Sequence, residues 1–212
     1  MKGLFIVFEG VDGSGSSTQA LLLKDYVLAR GCRTVLSPEP SNGPIGNLIR
    51  QIMKKRVILT RDSQRFDEQM AYLFAADRHD HLYNDIDGVF KLVNDGYHVI
   101  TTRYYFSSLA YNCRSRDDWE FISSLNQKFP NPDLVIYIDI PLEVSLQRLS
   151  DRSLKEVYEN KDKLTQVRQN YQNIFAKYKG LFLQVNGTET VNKIHQHIVD
   201  FLKDNFAEKI DI

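Results

Sequence analysis

The sequence predicts a doubly wound α/β protein built on a parallel sheet, and three observations carry that prediction. An apolar run, Leu4-Phe5-Ile6-Val7-Phe8, leads into a glycine-rich turn and then into a segment of helical spacing, Ala20 to Leu28. Apolar runs and helical segments alternate from there onwards, with no internal repeat and no low-complexity linker, the pattern of a parallel sheet covered by helices. The second strand ends in Ser37-Pro38-Glu39-Pro40-Ser41-Asn42-Gly43-Pro44, too rich in proline and glycine to be regular. Such a loop falls at the carboxyl edge of the sheet, where open α/β folds bind ligands. The 212 residues suit a single domain, 1–212, with a sizeable core.

The elements follow in order. Gly31-Cys32-Arg33 closes the first helix, and Thr34-Val35-Leu36 reads as a second short strand. Ile45 to Met53 has helical spacing and carries Arg50, and Ser63 to Phe90 is the longest helical pattern in the chain. Val99-Ile100-Thr101-Thr102 is a third buried strand after the turn Asn94-Asp95-Gly96. Leu134 to Ile140 is the fourth, followed by a helix from Leu142 to Leu149. A charged segment, Arg148 to Lys163, leads to a long helix through Arg168 and Tyr171. Leu181 to Val185 is the fifth strand, and Val191 to Phe206 the closing helix.

Composition narrows the function. Lys plus Arg and Asp plus Glu both number 27, which argues against a nucleic-acid partner. Cys32 and Cys113 are too few for a disulfide framework and lack metal-ligand spacing. His79 and His81, two apart, do not share a helix face and are not read as a metal site. Met1 runs directly into the first strand, and no apolar run is long enough to span a bilayer. The expectation is a cytoplasmic protein without membrane contact.

The chemistry gathers at four places. Gly10 and Gly15 have the spacing of a phosphate-binding loop between strand and helix, with Ser16-Ser17-Thr18 opening the helix. Glu39 lies on the loop at the sheet edge, either as a solvated acid or as a ligand contact. Phe74 and Arg78, four apart, share a helix face and can stack on a base and hold its carbonyl or phosphate. Arg103 follows a central strand, a poor place for a core residue and a good one for a phosphate contact.

These residues resemble the thymidylate kinase family of the P-loop nucleoside monophosphate kinases. The stretch Phe8 to Gly15 with Ser17-Thr18-Gln19 is close to the family's opening motif, and Glu39-Pro40, Pro44-Ile45-Gly46 and Ile49-Arg50 resemble the second. Leu73 to Arg78, then Arg103-Tyr104, Ser107-Ser108 and Ala110-Tyr111, match its base-reading helix and its Asp-Arg-Tyr motif. Pro132 to Ile136 with Asp139 and Arg148 match its fourth strand and the start of the lid, and Tyr158-Glu159-Asn160 and Val167-Arg168 with Asn170-Tyr171 resemble its lid exit. The matches run in order along almost the whole chain.

The resemblance implies a five-stranded sheet of order 2-3-1-4-5 and a lid at about 148–163. It implies magnesium-dependent transfer of the γ-phosphoryl of ATP to dTMP, with ATP and Mg2+ required and a homodimer as the assembly. Gly13, Ser14, Gly15, Ser16, Ser17 and Thr18 would hold the ATP phosphates, with the Ser17 hydroxyl on magnesium and Arg148 near adenine. Arg103 would lie between donor and acceptor phosphates, with Arg50 on the acceptor phosphate. Asp12 and Glu39 would face the acceptor's sugar and phosphate region. Phe74 and Arg78 would read the base, Ser107 and Tyr111 would complete the acceptor site, and Arg152 would close from the lid. A nucleotide-binding relative with weakened catalysis, or a kinase for another nucleotide or nucleoside, would share these motifs.

Four positions depart from the family pattern. Ser16 replaces the loop lysine, Thr102 the aspartate before Arg103, Pro38 an arginine and Asn112 a glutamine. Losing a lysine from a working site costs roughly 3 kcal/mol of transition-state stabilisation, by analogy with removing one oxyanion donor. Because Ser16 and Thr102 remove opposite charges, the sequence suggests a coupled substitution, with Arg152 or Lys155 supplying the missing cation.

Overall fold

The computed structural model describes residues 2–150 and 161–210. Arg152, Lys155 and the Tyr158-Glu159-Asn160 match therefore lie outside the described residues. The elements run β1 (Phe5–Glu9), α1 (Ser16–Leu28), β2 (Thr34–Leu36), α2 (Pro44–Met53), α3 (Ser63–Tyr83), α4 (Val89–Asn94) and β3 (His98–Thr102). They continue with α5 (Tyr105–Asn112), α6 (Arg116–Asn126), β4 (Leu134–Asp139), α7 (Leu142–Ser150), α8 (Lys161–Phe175), β5 (Phe182–Asn186) and α9 (Val191–Ile210).

The strands form one parallel sheet in the order β2-β3-β1-β4-β5. Both faces are covered, so β1 reads as a continuous apolar run whose alternate residues enter different cores. Phe5 and Val7 join Val99, Val135 and Tyr137 against Phe106, Tyr171 and Phe175 of α5 and α8. Leu4, Ile6 and Phe8 join Ile100, Ile136 and Ile138 against Leu23 of α1 and Ile198 and Leu202 of α9. The order of the strands leaves a crevice beyond the carboxyl ends of β1 and β3, whose last mutual pair is Phe8 with Thr102.

One expectation fails here. The helical pattern predicted from Ser63 to Phe90 breaks after Tyr83. Asn84 leaves the helix at ψ 149°, and its side-chain oxygen accepts from the backbone N–H groups of Ile86 and Asp87, building a turn that ends at Gly88. The apolar spacing runs through the break because Leu82 and Val89 enter the same core from two helices. The helix α6, which the sequence reading left unassigned, opens on a capping box between Ser115 and Asp118.

Candidate active site

The turn from Gly10 to Gly15 is shaped by backbone conformation. Gly15, at φ 96°, is the N-cap of α1 and leaves its amide and those that follow at the positive end of the helix. Gly10 is needed for a different reason: a Cβ there would stand 2.5 Å from Ser14 Oγ and 2.9 Å from the Ile138 carbonyl. The outer wall of the turn is fixed by α7. Ser145 Oγ donates to the Asp12 carbonyl at 2.6 Å, and Arg148 donates to the carbonyls of Gly13 and Gly187 at 3.0 and 2.9 Å. The Asp12 and Ser14 amides are taken by Tyr111 Oη and the Val11 carbonyl, at 3.2 and 3.0 Å, so the amides that open α1 are the ones left for an anion.

Across the crevice, the chain leaves β3 at Arg103, whose φ of 71° is a left-handed conformation that costs a non-glycine residue about 1–2 kcal/mol. The Arg103 amide donates to the Phe8 carbonyl at 2.8 Å, so the backbone stays tied to β1 while the side chain turns into the crevice. Its guanidinium pairs with Asp12 Oδ1 and donates to Tyr111 Oη and Ser107 Oγ, both at 3.2 Å. Tyr111 in turn donates to Asp12 Oδ2 at 2.9 Å. Burial works against the charge on Arg103, but Tyr111, Asp12, Tyr171 and Glu9 outweigh it and hold the side chain protonated.

Arg78 is more deeply placed, 1% exposed. It donates to Glu39 Oε2 from Nη2 and Nε, at 2.7 and 3.0 Å, to Ser108 Oγ, and to Asn126 Oδ1. The other Glu39 oxygen meets His81 Nδ1 at 3.2 Å, and His81 Nε2 meets Ser37 Oγ at 2.8 Å. Burial pushes Glu39 up, yet Arg78 and His81 overcome it and hold the carboxyl below its ordinary value. Beside this network, Asp77 accepts from the Ser41 amide and hydroxyl at 2.7 and 2.6 Å, which fixes the proline-rich loop against α3.

These groups wall a cavity of about 460 Å³. Asp12, Gly13, Gly15, Ser16, Ser17 and Thr18 form one side, and Glu39, Arg50, Phe74, Arg78, Arg103, Ser107 and Tyr111 the other. A family model for thymidylate kinase matches residues 8–198. The chain belongs to the thymidylate kinase family. Membership makes it a phosphotransferase of the nucleoside monophosphate kinase group. A Methanococcus aeolicus protein described as a probable thymidylate kinase is 38% identical over 205 residues, 94% of this chain and 96% of its own. The thymidylate kinase of Sulfurihydrogenibium sp. is 33% identical over 210 residues, 95% of this chain and 97% of its own. The solved structure of thymidylate kinase from Candida albicans shares the fold, with a TM-score of 0.75 at 24% identity over 99% of this chain and 94% of that one.

Against this thymidylate kinase frame, most of the sequence-predicted site residues meet in the one cavity. Ser14 and Arg148 do not line it: Ser14 is buried beneath the loop with its hydroxyl unpartnered, and Arg148 braces the loop from outside. Arg50 lines the cavity while donating to the Ser41 carbonyl and to Asn42 Oδ1. Ser16 and Thr102, two positions where the family's charged residues are missing, are both on the wall. Glu9 and His81 were given no part in the site from sequence, and Asn112 was noted there only as a departure from the family pattern. Glu9 is wholly buried behind the wall; its signal was an acid ending a run of core residues. His81 orients Glu39, and only the fold shows that pairing across 42 positions. Asn112, 6% exposed, lines the cavity, and its side-chain oxygen is buried without a hydrogen-bond partner.

Proposed function

We propose that this chain transfers the γ-phosphoryl group of ATP to the 5′-phosphate of dTMP, forming dTDP and ADP. The observation that carries the reading is the cavity that brings Ser16 to Thr18, in the first turn of α1, together with Arg103 and with Phe74, Arg78 and Tyr111. In this reading an oxygen of the acceptor phosphate attacks the γ-phosphorus. The bond from the γ-phosphorus to the β,γ-bridging oxygen breaks, and its electron pair leaves with ADP. A phosphate dianion needs no base to activate it, so the protein contributes position and charge. Arg103 stabilises the equatorial oxygens, and Asp12 and Tyr111 hold its fork in place. Arg50 attracts the acceptor phosphate, while Phe74, Arg78 and Asn112 frame the base.

Magnesium fits this wall. The exposed Ser17 lines the cavity in the first turn of α1, and Asp12 lies on the same wall. Magnesium takes part of its coordination from phosphate oxygens and water, so a few oxygen ligands of the protein suffice. When bound, the ion neutralises charge on the donor phosphates.

The reading extends to a homodimer in the cytoplasm. Tyr72, 51% exposed on α3 and 5.3 Å from the Phe121 ring, marks a face for a second copy, which sedimentation would test. Among the described residues no helix is long and apolar enough to cross a membrane.

The test is ADP formation from ATP and magnesium with dTMP, dUMP, dGMP, CMP or no acceptor. Turnover with dTMP well above the rest supports the reading. A flat profile would favour a kinase for other acceptors, in line with the broad substrate specificity described for the Candida albicans enzyme. No turnover, with thermal stabilisation by dTMP or ATP, would mark a nucleotide-binding relative in which Ser16 and Thr102 ended catalysis.

A further inference from the structure

Glu9 ends β1, is 0% exposed, and joins three elements that meet behind the cavity wall. One carboxylate oxygen accepts from the Tyr104 amide at the start of α5, at 2.8 Å. The other accepts from Ser107 Oγ of α5 at 2.7 Å and from Tyr171 Oη of α8 at 2.8 Å. Ser107 Oγ also takes the hydrogen bond from Arg103 Nη1 at 3.2 Å. A serine hydroxyl has one hydrogen and two lone pairs. Tyr171 Oη stands 2.8 Å from the same serine oxygen; while the carboxylate draws both hydroxyl hydrogens, the lone pairs of Ser107 are left to face the guanidinium.

We infer that Glu9 is a positioning residue for Arg103, fixing its guanidinium through Ser107 and tying it through Tyr171 to α8, the helix that follows the lid segment. The inference rests on the proposed role of Arg103 at the phosphates. A proton on the second oxygen would reverse the polarity of the chain: Glu9 would donate to Ser107 or Tyr171 and compete with Arg103 for the same lone pairs. The titratable groups facing Glu9 are Arg103, Tyr105, Tyr137 and Tyr171, with Asp12 beyond Arg103. All three phenols are pushed up by burial and stay neutral. Glu9 itself is raised by burial to about 7, with Arg103, Ser107, Tyr171 and Tyr104 opposing the rise. Positioning of Arg103 should therefore improve as pH rises through neutrality.

The test is a cycle of Glu9→Gln, Arg103→Ala and the double variant, read in kcat, in KM for dTMP, and in dTMP affinity by calorimetry from about pH 6 to about pH 8. The expected result is a kcat about tenfold lower in Glu9→Gln, without the wild-type rise across neutrality, and no further loss of affinity in the Arg103→Ala background. Additive losses, or an unchanged pH profile in Glu9→Gln, would overturn the inference. If Glu9→Gln does not fold, Tyr171→Phe serves instead. Removing a donor to the ionised carboxylate should move the midpoint to higher pH, and an unmoved midpoint would also overturn it. If the wild type turns over no acceptor, the proposed reaction fails by itself, while the affinity cycle still decides the coupling between Glu9 and Arg103.

Discussion

Two buried glutamates stand at the ends of neighbouring parts of the sheet, and their surroundings differ by one guanidinium. Glu39, beneath the pocket that Phe74 and Arg78 frame, has Arg78 in direct contact at 2.7 Å and His81 on its other oxygen. Glu9, behind the turn and Arg103, receives only neutral donors. Burial penalises both charges. The direct ion pair overcomes it at Glu39, which is held below its ordinary value, whereas Glu9 rises to about 7. Hydrogen bonds from neutral groups, even three of them, do not replace a contacting counter-charge in a desolvated site. One region is thus locked at neutral pH and the other is left responsive.

Removing the locking charge should have the largest effect. Arg78→Ala leaves Glu39 buried beside His81 alone, and chemical denaturation should show a loss of about 3–5 kcal/mol. A loss under about 1 kcal/mol would mean that water or a rearranged His81 compensates the carboxylate.

Next in size is the responsive side. Between pH 4.5 and about 7, folded Glu9 keeps a proton that the unfolded chain releases. Its contribution to stability is therefore full below 4.5 and is lost as pH rises to about 7, a span worth about 3 kcal/mol. Glu9→Gln should remove that slope, as unfolding measured across this range would show. Glu39 has the opposite sign, since its contribution exists above 4.5 and is lost as pH falls. An acid-limb slope unchanged in Glu39→Gln would contradict the pairing seen here.

A smaller effect tests the charge balance on the responsive side. Thr102→Asp adds a carboxylate beside Arg103, and Ser16→Lys adds a cation across the cavity. Each alone should give less turnover than the pair, with a coupling of about 1–2 kcal/mol in ΔΔG‡. Additivity would show that the two departures from the family pattern are independent. Smallest of all, Ser37→Ala removes the hydroxyl at 2.8 Å from His81 Nε2. It should cost about 1 kcal/mol in thermal unfolding while leaving the Glu39–Arg78 contact intact.

The fold was readable because β1, β3 and β4 are buried on both faces, so Leu4 to Phe8 and Leu134 to Ile138 are unbroken apolar runs and β3 is centred on Val99-Ile100. The interruption after Tyr83 was hidden because side chains from two helices share one core, and periodicity reports burial without reporting continuity. In the site, the turn was legible because glycine spacing is a local constraint on the backbone. The use of Arg78 was not. Phe74, which shares its helix face, lies four residues away, but the carboxylate that takes its hydrogen bonds is 39 positions distant. A pattern along one helix cannot show that a guanidinium is already engaged. Nor could it show the left-handed backbone at Arg103, which arises where the chain turns off β3.

That backbone bears on how the protein can change over generations. A φ of 71° suits glycine better than any residue with a side chain. Replacing Arg103 by glycine, a change open to a single nucleotide, would relax the main chain while deleting the cation proposed to act at the phosphates. Selection for robustness and selection for turnover therefore pull this codon in opposite directions. A lineage released from the second demand would be expected to lose its arginine here early.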